Sequence, residues 1–472
     1  MKKASTKKAP TDKSELFANV PVGRALMTLA VPTIISQLIS LVYNMVDAFY
    51  IGRTGNSFMM AATTITLPVM LLNISFGNLF GIGGGSQVAR RLGAGDADSA
   101  EKVSAFSVYG ALTTGLLYSL LVGIFIDPLL MFLGASENTL KYAHSYGMIV
   151  VVIGTVPLLM QMVLSHLLRN SGYSTQASMG LSIGGILNMI LDPVFMFVLL
   201  PKGMEVTGAA IATVISNTVG LGYLLIAYIR SSGEAPLSLD PGKARTIKKR
   251  DLKALFSVGV PSAILTGLFD VANVCANMIA AAHSDLVVAG MGIVMKIDRL
   301  PNAVNIGICQ GMLPIVAFNY SSGNHERMKA AISCARKAGL VVSVICIAAF
   351  EAFAGPLSRM FLSTTAGDAS TALATVAYAT TFLRVRCLAA PFQFINYNSS
   401  YCMQALGDGK GTMLHAFVRE LVFYIPFMFL FDRIFGETGL AAALPAGEAL
   451  GAVLALCLLQ RSISRAGNRV SA

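Results

Sequence analysis

The sequence predicts an all-α membrane protein, with twelve transmembrane helices in two six-helix lobes related by pseudo-two-fold symmetry. Three observations carry this expectation. Apolar residues make up 55% of the chain and charged residues only 12%, with a mean hydropathy of +0.67, whereas a soluble domain carries about 25% charged residues. Twelve apolar stretches are long enough to cross a hydrocarbon core of about 30 Å, which takes roughly 20 residues each. The chain also reads twice. Val31-Pro32 returns as Val260-Pro261 and Asn44 as Asn273; Pro157 answers to Pro391, Gly172 to Gly407, Pro193 to Pro426, Gly208 to Gly439 and Gly220 to Gly451, at offsets of 229 to 235. Two such copies around a shared cleft are a common plan for a secondary transporter.

The expected spans are 26–51, 58–84, 103–126, 143–168, 175–200 and 207–230 in the first copy. In the second they are 253–279, 286–316, 329–353, 374–404, 411–431 and 438–460. Helices follow because a single long apolar run satisfies its own backbone groups in lipid and an isolated strand does not. The domains read as a cytosolic tail at 1–20, a first lobe at 21–230, a cytosolic linker at 231–252, a second lobe at 253–460 and a tail at 461–472. The first tail is basic, lacks an apolar core with a cleavage site, and reads as floppy. Each copy has an even number of spans, so both lobes share one orientation, with their axis along the membrane normal.

Basic residues set that orientation. With the N-terminus inside, inner segments hold 25 of the 35 Lys and Arg, outer loops only Arg53, Lys141, Lys202, Arg359 and Arg433. The remaining five, Lys296, Arg299, Arg384, Arg386 and Arg419, fall within expected helices. Such a split places both termini of a multi-pass membrane protein in the cytoplasm. The net charge of +11 then reports topology and contact with anionic lipid rather than nucleic acid.

Several chemistries find no motif. The seven cysteines contain no CxxC pair and read as small buried apolar residues. The five histidines lack any paired metal-ligand spacing. The run Gly81-Ile-Gly-Gly-Gly85 lacks the GxxxxGK[ST] pattern of a nucleotide loop and suits close helix packing. With no ATPase module, nucleophile–base pair or cofactor motif, the chain reads as a non-enzyme driven by an ion gradient.

Polar residues inside the membrane carry the functional reading, because a carboxylate at the centre of a spanning helix costs about 2.5–3.5 kcal/mol on insertion scales. Ser36, Ser40, Asn44 and Asp47 share one face of the first helix, bordered by Gln37 and Tyr43. Asn188 and Asp192 share a face of the fifth, and Pro193 after them frees local carbonyls. Two acids, an asparagine and loosened carbonyls make an oxygen cage for a proton or a sodium ion. Two carboxylates in one poorly hydrated pocket disfavour double ionisation, which suits a proton carrier. Plainer readings are a hydrated Asp47 near a helix end and a helix-ending Asp192-Pro193 turn. The repeat favours function: Asp47 aligns with Ala276 and Asp192 with Ile425, so neither acid recurs as scaffold would.

The second copy holds Thr266, Asp270, Asn273 and Asn277 in its first helix, then Lys296, Asp298, Arg299, Asn302, Asn305 and Gln310 in the next. Asp270 with Lys296 or Arg299 is expected to form a neutralising ion pair, structural or gating. Gln393, Asn396, Tyr397 and Asn398 lie in the tenth span, with Arg384 and Arg386 at its start; Arg419 and Glu420 open the eleventh. The expected substrate-cavity and gating set is Gln37, Tyr43, Asn44, Asp270, Asn273, Lys296, Arg299 and Asn302. The 23 Met and 25 Phe suit a deformable cavity for varied cations, although most such residues serve as ordinary packing.

The segments Val31-Pro-Thr-Ile-Ile-Ser-Gln-Leu, Tyr43-Asn-Met-Val-Asp-Ala-Phe-Tyr-Ile-Gly52, Arg169-Asn-Ser-Gly172, Leu187-Asn-Met-Ile-Leu-Asp-Pro193 and Gln310-Gly-Met-Leu-Pro-Ile-Val-Ala-Phe-Asn-Tyr320 resemble the multidrug and toxic compound extrusion (MATE) transporters. The likeness spans all twelve expected helices and is strongest to the bacterial MepA/DinF-like branch. It implies a V-shaped pair of six-helix lobes exporting amphipathic organic cations against an inward flow of protons or sodium. It further implies a cation-coupling site at Asp47, Asn188 and Asp192, with Thr213 supplying a hydroxyl; Asp47 and Asp192 are metal ligands only if the ion is sodium. The sodium-coupled NorM type also uses acids in its seventh and tenth helices. Asp270 matches the first approximately and the tenth helix has no acid, so coupling through the first lobe is expected.

The expected activity is therefore secondary active antiport of cationic, amphipathic small molecules, needing no cofactor beyond the coupling ion. Its expected partners are those substrates and membrane lipids, with no nucleic acid, in a monomer. The alternative, a flippase for a lipid-linked cell-envelope precursor or polysaccharide, rests on Lys296, Arg299, Arg384 and Arg386.

Overall fold

The computed structural model describes residues 12–360 and 369–468 and is helical throughout. A short α1 (Asp12–Ala18) precedes the first copy: α2 (Val22–Arg53), α3 (Ser57–Gly93), α4 (Ala97–Phe132), α5 (Glu137–Gly147), α6 (Thr155–Asn170), α7 (Ser174–Val194) and α8 (Glu205–Ser231). After α9 (Pro241–Arg245) come α10 (Lys249–His283), α11 (Asp285–Ser321), α12 (His325–Met360), α13 (Ala369–Cys387), α14 (Ala390–Leu406), α15 (Gly409–Phe417), α16 (Ile425–Phe435) and α17 (Glu437–Asn468). Among the described residues 10 helices are long and apolar enough to span unaided. Two further spans are bent pairs: Glu137–Ile153 with Thr155–Asn170 at 43°, and Ser370–Cys387 with Ala390–Leu406 at 52°. Together they make the twelve spans of the repeat.

The irregularities repeat as well. α4 leaves helical geometry at Phe125, three residues before Pro128, and α12 does so at Phe353, three before Pro356. A proline ring collides with the carbonyl of the preceding turn, so the bend falls there in both copies. Gly172 and Gly407 both adopt a positive φ, at 94° and 78°. There each copy turns sharply out of a helix, a conformation that costs a residue with a Cβ more.

One expectation about the connecting segments changes, for the part of the first tail that follows residues 1–11, which lie outside the described residues. The tail expected to be floppy is held down from α1 onward: Phe17 is buried, and its carbonyl accepts from Asn319 Nδ2 at 3.0 Å and from Arg327 Nε at 2.7 Å. The reason is local. Phe17 packs against Phe318, with ring centroids 5.4 Å apart. The polar linker is also strapped to the first lobe. Leu237 is buried, Ser238 N–H donates to Ser104 Oγ at 3.1 Å, and Tyr109 donates to the Leu239 carbonyl at 2.8 Å.

The copies meet through α2 against α11 and α3 against α10. Small residues let these backbones touch. A Cβ on Gly311 would stand 2.7 Å from Ala30 Cα, and one on Gly83 would stand 2.6 Å from the Leu255 carbonyl. Polar bonds close the same end: Ser86 Oγ donates to the Gln404 carbonyl at 2.7 Å, and Gln87 Nε2 to Asp251 Oδ1 at 2.8 Å. Arg91 pairs with the buried Asp251. All these residues lie in the parts of their helices nearer the 231–252 linker, so the lobes are sealed at the linker end.

Candidate functional site

Beyond that seal the lobes enclose a cavity of about 570 Å³. Gln37, Ser40, Tyr43 and Asn44 of α2, Asn188 of α7 and Thr213 of α8 line it from the first lobe. Thr266 of α10, Arg299, Asn302 and Gln310 of α11, and Arg419 and Glu420 line it from the second. The wall also includes Leu71, Ile74, Met162, Leu265 and Phe269. A largely apolar pocket with a few convergent polar groups suits an organic ligand.

Beside the cavity, the first lobe gathers Asp47, Asn188, Asp192 and Thr213. Asp192 is 0% exposed and Asn188 only 3%. Asn188 Nδ2 donates to Asp192 Oδ1 at 3.0 Å and lies 3.4 Å from Thr213 Oγ1, whose own proton goes to the Ala209 carbonyl at 2.9 Å. Asp47 is half-buried and within electrostatic reach of Asp192, as are Tyr43 and Tyr146. Three acceptor oxygens are buried without a partner: Asp47 Oδ1, Asn188 Oδ1 and Asp192 Oδ2. Buried polar atoms are normally hydrogen-bonded, so three unpartnered acceptors in one cluster suit a proton or a small cation.

Local sequence builds this cluster. Asp192 stands inside one span, because the helix runs through Pro193 to Val194 and on as a π-helical turn over Phe195–Leu199. The proline removes the N–H that regular helix would need, and the wider turn accommodates the loss. Gly185 lets α7 approach α2: a Cβ there would be 3.1 Å from both Ile39 Cγ2 and Tyr43 Cδ1.

Other expected site residues lie elsewhere. Lys296 is exposed and Asn273 half-buried, and neither lines the cavity. The side chain of Asp270 lies outside the described residues. Among described residues, Arg299 has no ion pair, whereas Arg386 pairs with Asp298 at 2.9 Å and Arg384 with Glu351 at 3.7 Å. Both arginines close α13 rather than open the following helix. Ser36 turns its hydroxyl to the Thr33 carbonyl at 2.9 Å instead of facing the cavity. Only Cys309, Cys387 and Cys402 of the seven cysteines are fully buried; all seven are free.

The sequence reading passed over several groups. Gln161, His166 and Arg169 of α6 line the cavity. Glu448 of α17 is buried against Arg419 at 2.6 Å. The repeat held a signal for Glu448. At the offset that joins Gly208 to Gly439 and Gly220 to Gly451 it aligns with Asn217, which also lines the cavity.

Comparison with known proteins agrees with this architecture. The chain is 29% identical over 443 residues to the multidrug export protein MepA of Staphylococcus aureus strain MRSA252, covering 94% of each chain. It is equally 29% identical over 443 residues to the MepA of Staphylococcus haemolyticus, again covering 94% of each. Its fold matches a multidrug resistance MATE family transporter solved in an outward-facing conformation, with a TM-score of 0.90 at 22% identity, over 98% of this chain and 100% of the other. A MATE crystal structure in complex with MaL6 matches with the same TM-score and identity over 97% of this chain and 100% of that one. The MatE family profile matches residues 32–194 and 261–430, one block in each copy. With both of its six-helix copies matched, the chain belongs to the MatE family of transporters.

Proposed function

We propose that this protein exports amphipathic, cationic organic molecules across the bacterial cytoplasmic membrane in exchange for inward-moving protons, with sodium as the alternative ion. The observation that carries the reading is the set of three buried, unpartnered oxygens on Asp47, Asn188 and Asp192 beside a largely apolar cavity. A proton on either carboxylate turns an acceptor into a donor, satisfies a neighbouring oxygen and removes the repulsion between the two acids. That changes the contact of α2 with α7, and so the balance between lobe arrangements. A sodium ion would use the same oxygens, with Asp47 and Asp192 as its charged ligands. The relatives named as multidrug export proteins support the substrate class.

The basic residues of 231–252 favour a cytoplasmic linker and cytoplasmic termini. The sealed linker end is then the inner face, and this arrangement faces outward. We take 21–230 and 253–460 as the moving lobes of a monomer, with 231–252 joining them. Arg384 and Arg386 are neutralised by acids, which weakens the case for a basic lipid-precursor groove.

The test is ethidium efflux from proteoliposomes under an imposed pH gradient, a sodium gradient, both or neither. Efflux should follow one gradient and vanish in Asp47→Asn and Asp192→Asn while both variants still insert. Wild-type, gradient-driven efflux by both variants rules the mechanism out.

A further inference from the structure

The second lobe holds a buried charged group that the coupling site does not use. Between α15 and α16 the chain forms a π-helical segment, Val418–Tyr424, which carries Arg419 and Glu420. Such bulges often mark functional positions. Arg419 is gripped by Glu448, with Nε 3.0 Å from Oε2 and Nη2 2.6 Å from Oε1. Glu448 Oε2 also accepts from Asn396 Nδ2 at 2.6 Å. Asn396 Oδ1 lies 3.0 Å from His415 Nε2, and the other ring nitrogen lies 2.9 Å from Ser400 Oγ. Glu448 and Arg419 therefore satisfy each other inside a closed polar network.

Glu420 is outside that network. It is 2% exposed, and among the described residues it accepts no hydrogen bond; its one ion pair is to Arg419 Nη2 at 3.6 Å. When both carboxylates are ionised, one guanidinium between them leaves one negative charge without a counter-ion among the described residues. Glu420 nevertheless lines the cavity, as do Tyr397 and Tyr401. The Tyr397 ring already faces a cation, with Arg419 Cζ 5.4 Å from its centroid.

The cavity is polarised as a result. Glu420 is the single carboxylate among its described lining residues and its neighbour Arg419 is held by Glu448, while Arg169 stands on the α6 wall and Arg299 on α11. A molecule with one cationic end and an apolar body is turned by this field toward the α15–α16 side. Carboxylate and aromatic faces together are the chemistry that receives an organic ammonium ion.

We propose that Glu420 anchors the cationic centre of the transported molecule, with Tyr397 and Tyr401 beside it, and that Glu448, by taking the close hydrogen bonds of Arg419, leaves Glu420 without a close donor. This deepens the export reading and rests on it.

The experiment is equilibrium binding of ethidium to the purified full-length protein by fluorescence anisotropy, at one pH and without a gradient. An uncharged phenanthridine serves as the comparison ligand. Glu420→Gln should weaken ethidium binding by about tenfold or more, the scale of a lost charge-assisted contact, and leave the uncharged ligand unchanged. Glu420→Asp should retain most of the affinity. Tyr397→Leu should weaken ethidium binding more than Tyr397→Phe does, which tests the site even if Glu420→Gln misfolds on size-exclusion chromatography. Wild-type affinity in Glu420→Gln, or equal losses for both ligands, overturns the anchor while leaving coupled export standing. A wild-type protein that neither binds nor moves ethidium overturns both.

Discussion

Asn188 Nδ2 stands 3.0 Å from Asp192 Oδ1, one helical turn along α7, and this single donor serves an acid that is otherwise without a partner. Asn188→Ala would leave both Asp192 oxygens bare. Losing a hydrogen bond to a charged group costs about 1.5–3 kcal/mol, a factor of about 10 to 100. Gradient-driven ethidium efflux should fall by about that factor, with the variant inserted in the membrane at the wild-type level. A variant with unchanged efflux would show that the Asn188–Asp192 bond plays no part in coupling.

The touching backbones of α3 and α10 give a second prediction, about the conformational equilibrium. A Cβ on Gly259 would run into the Leu79 carbonyl, and overfilled contacts of this kind cost about 1–3 kcal/mol. Gly259→Val should therefore depopulate the arrangement sealed at the linker end. Ser86→Cys with Gln404→Cys, in a background without the native cysteines, reports that arrangement as a disulfide, since Ser86 Oγ now sits 2.7 Å from the Gln404 carbonyl. Crosslinking yield should drop when Gly259→Val is added. An equal yield would mean that the glycine contact does not control closure.

The twelve spans, the two copies and the first-lobe cluster were legible because they depend on periodicity and on residue type. Asp47, Asn188 and Asp192 stood out as acids and an amide in apolar helices, absent from the aligned copy. What stayed hidden depends on how each helix is rotated. Asp298 pairs with Arg386 on α13, a distant helix in sequence, rather than with a nearer neighbour. Lys296 points away from the cavity although Arg299, one turn on, lines it. Glu448 stands in the second copy, where the first-copy acids give no guide. Set against Asn217, it shows the same kind of asymmetry.

Asp96 supplies a pH prediction outside the membrane. It caps α4, accepting from Ser99 N–H at 3.1 Å, and its other oxygen lies 3.4 Å from Arg91 Nη1. Burial pushes its carboxyl up, but the Ser99 hydrogen bonds and the Arg91 and Lys248 charges outweigh burial and hold it below the usual carboxylate value. A carboxylate lowered in the folded state stabilises above its unfolded pKa of about 3.9, and that contribution is lost as pH falls through the folded value. Asp96→Ala should therefore cost about 1 kcal/mol at neutral pH. The gap from wild type should narrow below about pH 4. Thermal unfolding of the detergent-solubilised protein at both pH values checks it, and a gap that widens in acid refutes the assignment.

Arg419 is shared unequally between two acids, at 2.6 Å from Glu448 and 3.6 Å from Glu420. This makes the two substitutions non-additive. Glu420→Gln alone removes an uncompensated charge and leaves the Glu448 pair intact, so stability should change little. Glu448→Gln alone breaks a buried pair, which ordinarily costs about 3–5 kcal/mol, but Glu420 remains close enough to relieve part of the loss. With both changed, the buried guanidinium has no counter-charge, and the double variant should lose at least about 1 kcal/mol more than the two single losses added. Unfolding midpoints of the four proteins measure that excess. Additivity within about 0.5 kcal/mol would show that Arg419 does not interact with Glu420, and the charge imbalance in the second lobe would then need another explanation.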